Sequence, residues 1–343
     1  MKTYILTENH TPDEMSLHGL LPGLVRMPDE VASRVSPNVR SLVRCTSGGR
    51  LRFVTDSAYL KIDVTLEEEA PNSAISVTVD GVFNGHAGPI GYEAKEWDGK
   101  FDLGRPGEKK TVTVFLPRTG HPTRVVFSLP DDATVEKAAP YKVEKPIVYY
   151  GSSITMGAIC TSPAKCYTAL VSERLGADHV NLGFGGSAMG EREMAEYIAG
   201  LDMSAFVLDY EHNAPTLDHL RATHKPFFDI IRKAKPTLPI LIVSRPDTDA
   251  DFMRCYEGRR IIIDTFHAAL DSGDRYVDFI DGSFLWGNYD RHLCRCDDMC
   301  HPNDEGFART ADVVAPRLAS LMKRCGVSEV EPDGRDSIFR INI

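Results

Sequence analysis

The sequence lacks an excess of positive charge and a long apolar run. Its 343 residues include 39 Lys and Arg against 49 Asp and Glu, so the formal net charge is 39 − 49 = −10. We therefore expect no nucleic-acid partner, because phosphate binding needs a concentrated positive surface. No segment approaches the ~18 consecutive apolar residues of a membrane span, so none is expected.

Cysteine is also sparse. Eight cysteines in a chain of this length are too dilute for a disulfide scaffold, which favours a reducing compartment. The first ten residues have no continuous apolar stretch and do not resemble a secretory signal peptide. We expect a cytoplasmic protein by default, with a secreted or periplasmic location left open if the printed chain is a trimmed form. The oligomeric state is not predicted by the sequence.

The first part of the chain has apolar residues with a period of two, which is typical of strands. Strands are predicted at 51–54, 59–64, 75–79, 111–115 and 124–127, with turn signals at 47–49, 80–81, 98–99 and 117–120. A helix at about 28–35 is expected before them. Many short strands without helices between them predict an all-β sandwich, jelly-roll-like, over residues 1–140.

After residue 145, short apolar strands alternate with helical segments. Strands are predicted at 147–150, 179–182, 205–209, 239–243 and 276–280, and helices at 166–175, 189–200, 217–234, 256–271 and after Asn303. This alternation predicts an α/β domain over residues 141–326 with a five-stranded parallel sheet, followed by a tail at 327–343. Ligands in such sheets gather at the carboxyl ends of the strands.

Two of the predicted strand ends carry small, flexible residues. Segment 151–155 (GSSIT) places Ser153 in a turn where its hydroxyl could serve as a nucleophile, although Gly-Ser pairs are also ordinary turn formers. Segment 181–188 (NLGFGGSA) could bind an oxyanion through its backbone. It also fits a dinucleotide-binding pattern with Asp209, or a purely structural turn.

Two further segments supply polar side chains. Asn213 follows the third parallel strand and could donate its amide to the same crevice, or serve as a cap or turn former. Asp298 lies three residues before His301 in the loop before the last helix, so it could orient the imidazole. A surface loop pair is the alternative for these two residues.

The four blocks GSSIT, NLGFGGS, DYEHN and DDMCH, in this order over about 146–324, resemble the SGNH (GDSL-type) hydrolase superfamily. The GSSIT block and a preceding β-rich region resemble a subgroup with an N-terminal β-sandwich domain, found in some esterases and acyltransferases. The resemblance implies a flavodoxin-like three-layer fold and a site that needs no cofactor. Departures include Ser152 where the superfamily has Asp, and His212 where a glycine is common.

The resemblance also implies a role for each matching residue. Ser153 would be the nucleophile, His301 the general base and Asp298 the residue that orients it. The oxyanion hole would comprise the backbone N–H groups of Ser153 and Gly186 and the side chain of Asn213. The expected reaction is attack of the serine on an ester carbonyl, through a covalent acyl-enzyme.

Other side chains have competing interpretations. Five potential metal ligands cluster near the C-terminal motif: His292, Cys294, Cys296, Cys300 and His301. Their spacing is not a standard zinc pattern and a catalytic His301 could not bind metal, so we expect no metal and free thiols. Arg245 could bind a substrate carboxylate or sugar hydroxyl, or pair with Asp247 or Glu211. Trp286 and Tyr289 could form an aromatic wall for substrate, or pack against the sheet.

These observations favour a serine esterase that acts on a hydroxylated substrate such as a carbohydrate, and the resemblance implies that it removes a small acyl group, acetyl among the possibilities. The expected partner is thus a small-molecule or carbohydrate ester. An acyltransferase using the same Ser-His-Asp chemistry and a non-catalytic carbohydrate-binding protein are the alternatives. A nucleotide-binding oxidoreductase rests only on the glycine block.

Overall fold

The computed structural model describes residues 1–287, 289–327 and 329–330 and divides the chain into two compact units. Unit 1 comprises Met1–Pro28, Ser41–Pro140 and Thr161–Lys165, and unit 2 comprises Asp29–Arg40, Tyr141–Cys160 and the chain from Cys166. The division differs from a single cut after residue 140, because Asp29–Arg40 belongs to unit 2 and Thr161–Lys165 to unit 1. Most of the predicted tail, 331–343, lies outside the described residues.

Unit 1 contains two antiparallel sheets. Its strands are β1 (Lys2–Thr7), β2 (Ser16–His18), β3 (Arg50–Thr55), β4 (Tyr59–Pro71), β5 (Ile75–Val79), β6 (Val82–Ala87), β7 (Glu93–Asp102), β8 (Lys110–Phe115), β9 (Pro122–Leu129) and β10 (Val135–Lys137). One sheet has the order β1-β9-β4-β7, and the other has β10-β3-β8-β5-β6 with β2 beside β3. The inward side chains of both sheets form one apolar core, as the predicted sandwich requires.

The alternation of apolar and polar residues predicts β4, whereas the sequence of β7 did not predict a strand. In β4, Leu60, Ile62 and Val64 are buried while Lys61 and Asp63 between them are exposed, which is the period of a half-buried strand. In β7 only Phe101 is buried. The Asp-Gly pair at 98–99, predicted as a turn, lies inside β7. Gly99 is needed there because a Cβ would lie 2.3 Å from the Ala87 Cβ.

Unit 2 is built around a sheet of five parallel strands, as the sequence predicts. The strands are β11 (Val143–Gly151), β12 (Ala177–Gly183), β13 (Ala205–Asp209), β14 (Ile240–Val243) and β15 (Val277–Ile280), in the order β12-β11-β13-β14-β15. In β11 the consecutive residues Ile147, Val148, Tyr149 and Tyr150 are all fully buried. A continuous apolar strand of this kind needs cover on both faces.

The described part of the chain contains eight α-helices, and the three longest begin at a polar capping side chain. They are α1 (Asp29–Val35), α2 (Pro37–Leu42), α3 (Ser153–Met156), α4 (Tyr167–Arg174), α5 (Arg192–Gly200), α6 (Leu217–Ala234), α7 (Phe252–Asp271) and α8 (Asp304–Arg324). Thr216, Asp251 and Asn303 each accept a backbone N–H at the start of α6, α7 and α8. Among the described residues, no helix is both long and apolar enough to cross a bilayer.

The strand order positions the functional residues. The chain runs first to one edge of the sheet and then returns past β11 to β13, so the switch in direction lies beside β11. Crevices at such switch points are where ligands bind in open α/β sheets. Gly151, at the end of β11, pairs in register with Gly183 of β12 and Asp209 of β13. Three strands therefore end at the same level.

Candidate active site

Ser153 stands at the start of α3, two residues after the end of β11. Ser152 caps this short helix by accepting the N–H of Ile154 at 3.1 Å. Gly151 permits the tight exit from the strand, since a Cβ there would lie 2.1 Å from Thr155 Oγ1 and 2.2 Å from the Asp209 carbonyl oxygen. The sharp turn fixes the main chain from which the Ser153 side chain projects.

His301 and Asp298 approach Ser153 from the loop that opens α8. His301 Nε2 lies 2.7 Å from Ser153 Oγ, and His301 Nδ1 lies 2.6 Å from Asp298 Oδ2. Asn303, two residues on, caps α8 through the N–H of Gly306 at 3.1 Å. The structure therefore joins Ser153, His301 and Asp298 in one hydrogen-bonded chain across 148 residues of sequence.

Asp298 is held in its ionised form by several donors. Its Oδ1 accepts the backbone N–H groups of Cys300 and His301 at 3.0 and 2.9 Å. Partial burial favours the neutral acid, but these hydrogen bonds and the bond to the imidazole outweigh it, and the pKa of Asp298 is lowered. An ionised Asp298 accepts the Nδ1 proton and leaves Nε2 free to accept the Ser153 hydroxyl proton.

The glycine block follows β12 and lies against Ser153. A Cβ on Gly185 would be 3.3 Å from the Ser153 Cβ, which shows how closely the two segments approach. Gly186 has a φ of +67°, a conformation that favours glycine. Within the described part of the chain, the N–H groups of Ser153 and Gly186 donate to no protein acceptor, so both are free for a ligand.

Asn213 lies in a single helical turn, Glu211–Asn213, after β13. Its Nδ2 donates to the carbonyl of Phe184 at 2.9 Å, which ties the turn to the glycine block two residues before Gly186. An amide nitrogen carries two protons, so one stays available after this bond. Asn213 is therefore bonded directly to the glycine block that contains Gly186.

A buried carboxyl group supports the floor of the site. Asp209 Oδ2 accepts the hydroxyls of Thr155 and Tyr167, both at 3.0 Å. Burial raises the pKa of Asp209 to about 7, although these two hydrogen bonds act in the opposite direction. The Asp209 carboxyl thus holds the segment after Ser153 in place. Because it accepts these internal hydrogen bonds, it is not positioned to bind the ribose of a dinucleotide.

The three predicted substrate-binding residues, Trp286, Tyr289 and Arg245, have very different surroundings. Trp286 is fully buried in the core and its indole N–H donates to Thr310 Oγ1 at 3.3 Å. The interpretation of Trp286 as part of an aromatic wall for substrate is therefore wrong, since a substrate cannot touch a ring that has no exposed surface. Tyr289 is 97% exposed, so it forms no wall with Trp286. Arg245 pairs with Asp247 through two hydrogen bonds, one of them 2.7 Å long.

The sequence cluster of potential metal ligands is divided in the fold. Cys294 is buried with its thiol 3.7 Å from the Trp286 carbonyl oxygen, whereas His301 contacts Ser153. All eight cysteines are free thiols. A different group, His212, Asp247 and Cys300, brings its potential ligand atoms within 4.8 Å of one another. Both oxygens of Asp247 already accept hydrogen bonds from Arg245, which makes this a poor metal site.

The sequence offered the Arg245–Asp247 pair as an alternative, but it did not indicate that His212 joins this pair beside Asn213. His212 Nε2 lies 3.0 Å from Asp247 Oδ1, and Asp247 is fully buried. Glu211 accepts the backbone N–H of Arg245 at 2.8 Å. Burial raises the pKa of Glu211 to about 7, opposed by that N–H. The one sequence signal was that His212 occupies a position where glycine is common.

Several solved structures share the fold of the whole chain. A Bacteroides ovatus ATCC 8483 protein assigned as a GDSL-like lipase has 22% identity and a TM-score of 0.80, with 94% of this chain and 98% of that chain covered. The salicylyl-acyltransferase SsfX3 from a tetracycline biosynthetic pathway has 24% identity, a TM-score of 0.73 and coverage of 96% and 99%. A family two carbohydrate esterase from Clostridium thermocellum, in complex with cellohexaose, has 17% identity, a TM-score of 0.59 and coverage of 81% and 93%.

Sequence comparison identifies the family. No curated protein is significantly similar in sequence to the chain. Residues 144–319, which are 319 − 144 + 1 = 176 of the 343, match the model of the GDSL-like lipase/acylhydrolase family. The matched region includes Ser153, Gly186, Asn213, Asp298 and His301. Because the match spans more than half of the chain, the protein belongs to the GDSL-like lipase/acylhydrolase family of ester-bond hydrolases.

Proposed function

We propose that the protein is a serine esterase in which Ser153 carries the acyl group. The Ser153 Oγ forms a bond to the ester carbonyl carbon while His301 Nε2 takes its proton. The carbonyl oxygen becomes an oxyanion that accepts hydrogen bonds from the N–H groups of Ser153 and Gly186 and from the Asn213 amide. The C–O bond then breaks, and the alcohol leaves with the proton from His301.

The second half of the cycle reverses the first with water as the nucleophile. His301 takes a proton from water as the oxygen attacks the acyl carbon, and Ser153 Oγ leaves with a proton returned by His301. Asp298 stays ionised and stabilises the imidazolium formed in each half. The observation that carries the proposal is the hydrogen-bonded chain of 2.7 and 2.6 Å from Ser153 through His301 to Asp298.

The substrate we propose is the ester of a small acyl group, such as acetyl, with a hydroxylated molecule such as a carbohydrate. Support comes from the similarity in fold to a carbohydrate esterase from Clostridium thermocellum and to an acetyl xylan esterase from Butyrivibrio proteoclasticus, the latter with a TM-score of 0.57. The second candidate is an acyltransferase, supported by the similarity in fold to SsfX3 over nearly the whole of both chains.

Hydrolysis of p-nitrophenyl esters tests the reaction. We expect the wild-type protein to release p-nitrophenol from the acetate ester, with falling kcat/KM as the acyl chain lengthens. Ser153→Ala should lose activity by about 10⁴-fold or more, because the nucleophile is removed while the fold stays. Ser172→Ala is the matched control: this buried serine of α4 bonds to Tyr149 Oη at 3.2 Å and should retain activity.

The same assay separates the candidates. Product formed with an added alcohol or sugar in place of free acid would identify an acyltransferase that uses the same Ser153. Equal rates for the wild type and Ser153→Ala, with both proteins folded by circular dichroism, would exclude the serine mechanism. Saturable sugar binding with no ester cleavage would favour the carbohydrate-binding alternative.

A further inference from the structure

His212 lies next to the oxyanion donor Asn213 but projects away from it into a buried polar network. The His212 side chain is only 5% exposed, and its Nε2 lies 3.0 Å from Asp247 Oδ1. Hydrogen bonds from Arg245 and His212 outweigh burial and lower the pKa of Asp247, so the carboxylate is an acceptor. The hydrogen on His212 is therefore on Nε2, and His212 donates to Asp247.

The carboxylate of Asp247, to which His212 donates, is itself held in place by Arg245. Asp247 has no exposed surface, and the Arg245 guanidinium binds both of its oxygens. A bidentate Arg–carboxylate pair has little freedom to rotate. A side chain that hydrogen-bonds this carboxylate is consequently held in one place, and His212 is the residue that does so from the 211–213 turn.

The turn receives further bonds from the same side. The Arg245 N–H donates to Glu211 Oε2 at 2.8 Å, and the Arg254 guanidinium donates to the carbonyl of Ala214. The residues on either side of Asn213 are thus tied to the segment after β14 and to α7. Asn213 Nδ2 itself reaches the other way, to Phe184 of the glycine block.

The chemistry of His212 argues against a simple packing role. Its second nitrogen, Nδ1, is buried and has no partner among the described residues. Leaving a buried polar atom unpaired costs about 1–3 kcal/mol. An apolar residue would fill the same volume without this cost, so the Nε2–H bond to Asp247 is the property that histidine contributes.

We infer that His212 is a positioning residue, which through its bond to Asp247 holds the Asn213 amide where the oxyanion forms. The inference rests on the proposed serine esterase function. It predicts that loss of His212 lowers activity through Asn213, because the hydrogen bond of the His212 side chain goes to Asp247 rather than to Ser153 or His301. A displacement of about 1 Å in such a group can lower a rate by about 10²-fold.

A double-mutant cycle on p-nitrophenyl acetate hydrolysis tests this inference. We expect Asn213→Ala to lower kcat by about 10²–10³-fold. His212→Ala should lower kcat by about 10–100-fold with KM nearly unchanged. The double variant should be no slower than Asn213→Ala alone, since residues that act through one another are not additive. His212→Gln should recover most of the loss, because its amide nitrogen can replace Nε2 as the donor to Asp247.

Controls separate positioning from stability. His224→Ala is the matched variant: His224 is a buried histidine of α6 with Nδ1 2.8 Å from Thr265 Oγ1, and it should lower the melting temperature while kcat stays within about threefold. If His212→Ala does not fold, His212→Asn serves in the same cycle, because asparagine is polar but too short to reach Asp247.

The outcomes distinguish the two proposals. If Ser153→Ala is inactive but the losses of His212→Ala and Asn213→Ala multiply, His212 acts independently and the positioning role is excluded. A His212→Ala or His212→Asn protein that folds and matches the wild-type kcat would also exclude it. Full activity in Ser153→Ala would instead overturn the serine esterase function, and the positioning role with it.

Discussion

Asp298 Oδ2 and His301 Nδ1 lie 2.6 Å apart although the Asp298 side chain is 41% exposed. The pair is not shielded in the protein interior, so its geometry depends on the two backbone N–H groups that Asp298 also accepts. In a serine mechanism the carboxylate must select the tautomer of the imidazole, and exposure does not remove that requirement.

Asp298→Asn should therefore lower kcat by about 10³–10⁴-fold, because an amide donor opposite Nδ1 favours the tautomer whose Nε2–H faces Ser153. KM should change little. The measurement is steady-state hydrolysis of p-nitrophenyl acetate. Asp297→Asn, in the exposed adjacent residue, is the control and should stay within about twofold of the wild type. Comparable losses in the two variants would show that the loop, rather than the Asp298–His301 bond, matters.

A glycine at the end of β11 should be irreplaceable. Gly151→Ala would place a Cβ 2.1 Å from Thr155 Oγ1 and 2.2 Å from the Asp209 carbonyl oxygen, so we expect a loss of more than about 3 kcal/mol in the free energy of unfolding. Gly200→Ala, where a Cβ meets nothing within 4 Å, should be neutral or slightly stabilising because alanine favours helix. Denaturant titration compares the two; similar stabilities would contradict the packing described for Gly151.

The buried Asp209 should make stability depend on pH. Its pKa is raised by burial from 3.8 to about 7. At a pH between these two pKa values, Asp209 is therefore more protonated in the folded protein than in the unfolded chain. The free energy of unfolding should then fall as the pH rises from about 4 to 7, by up to about 4 kcal/mol for this group. Asp209→Asn should remove that component. Denaturant titrations of both proteins across this range measure the difference, and parallel curves would contradict it.

The two aromatic residues before the C-terminal motif should behave in opposite ways. Trp286→Ala should cost about 3–5 kcal/mol of stability, because it empties a fully buried site in the core. Tyr289→Ala should change stability by less than about 0.5 kcal/mol, since its side chain is almost entirely exposed. Melting temperatures by calorimetry compare them. A stable Trp286→Ala protein with a raised KM would restore the substrate-wall interpretation.

The fold of unit 2 was predictable because its capping residues and apolar patterns agree with the residues that are buried in the structure. The helix predicted at 217–234 is α6 (Leu217–Ala234), where Thr216 supplies the cap and a regular apolar face follows. Helix α7 begins at Phe252, four residues before the predicted start, because Asp251 caps it while the exposed Phe252 and Met253 conceal the pattern. The predicted strand ends differ from the observed ends by at most four residues, because each of the five strands contains a short buried apolar stretch.

The missed parts depend on contacts between distant residues. Strand β7 pairs along β4. Its inward residues Trp97 and Phe101 alternate with charged ones over only a short stretch, and the Asp-Gly pair inside that stretch indicated a turn. The bond between His212 and Asp247 joins residues 35 positions apart. A histidine where glycine is common marks position 212 as unusual, but it does not indicate the partner. For Trp286 the sequence left a substrate wall and packing against the sheet open, because burial of its ring depends on contacts with distant residues such as Thr310.

The long separation between Ser153 and His301 has a consequence for synthesis. A ribosome that adds about 5–20 residues per second takes about 7–30 s to proceed from one to the other across their 148 positions. Throughout that interval the nascent chain carries a serine without its proton acceptor, and Gly186 and Asn213 emerge earlier than the base. Under the proposed mechanism, hydrolytic activity therefore cannot precede synthesis of His301, which follows the last strand of the sheet.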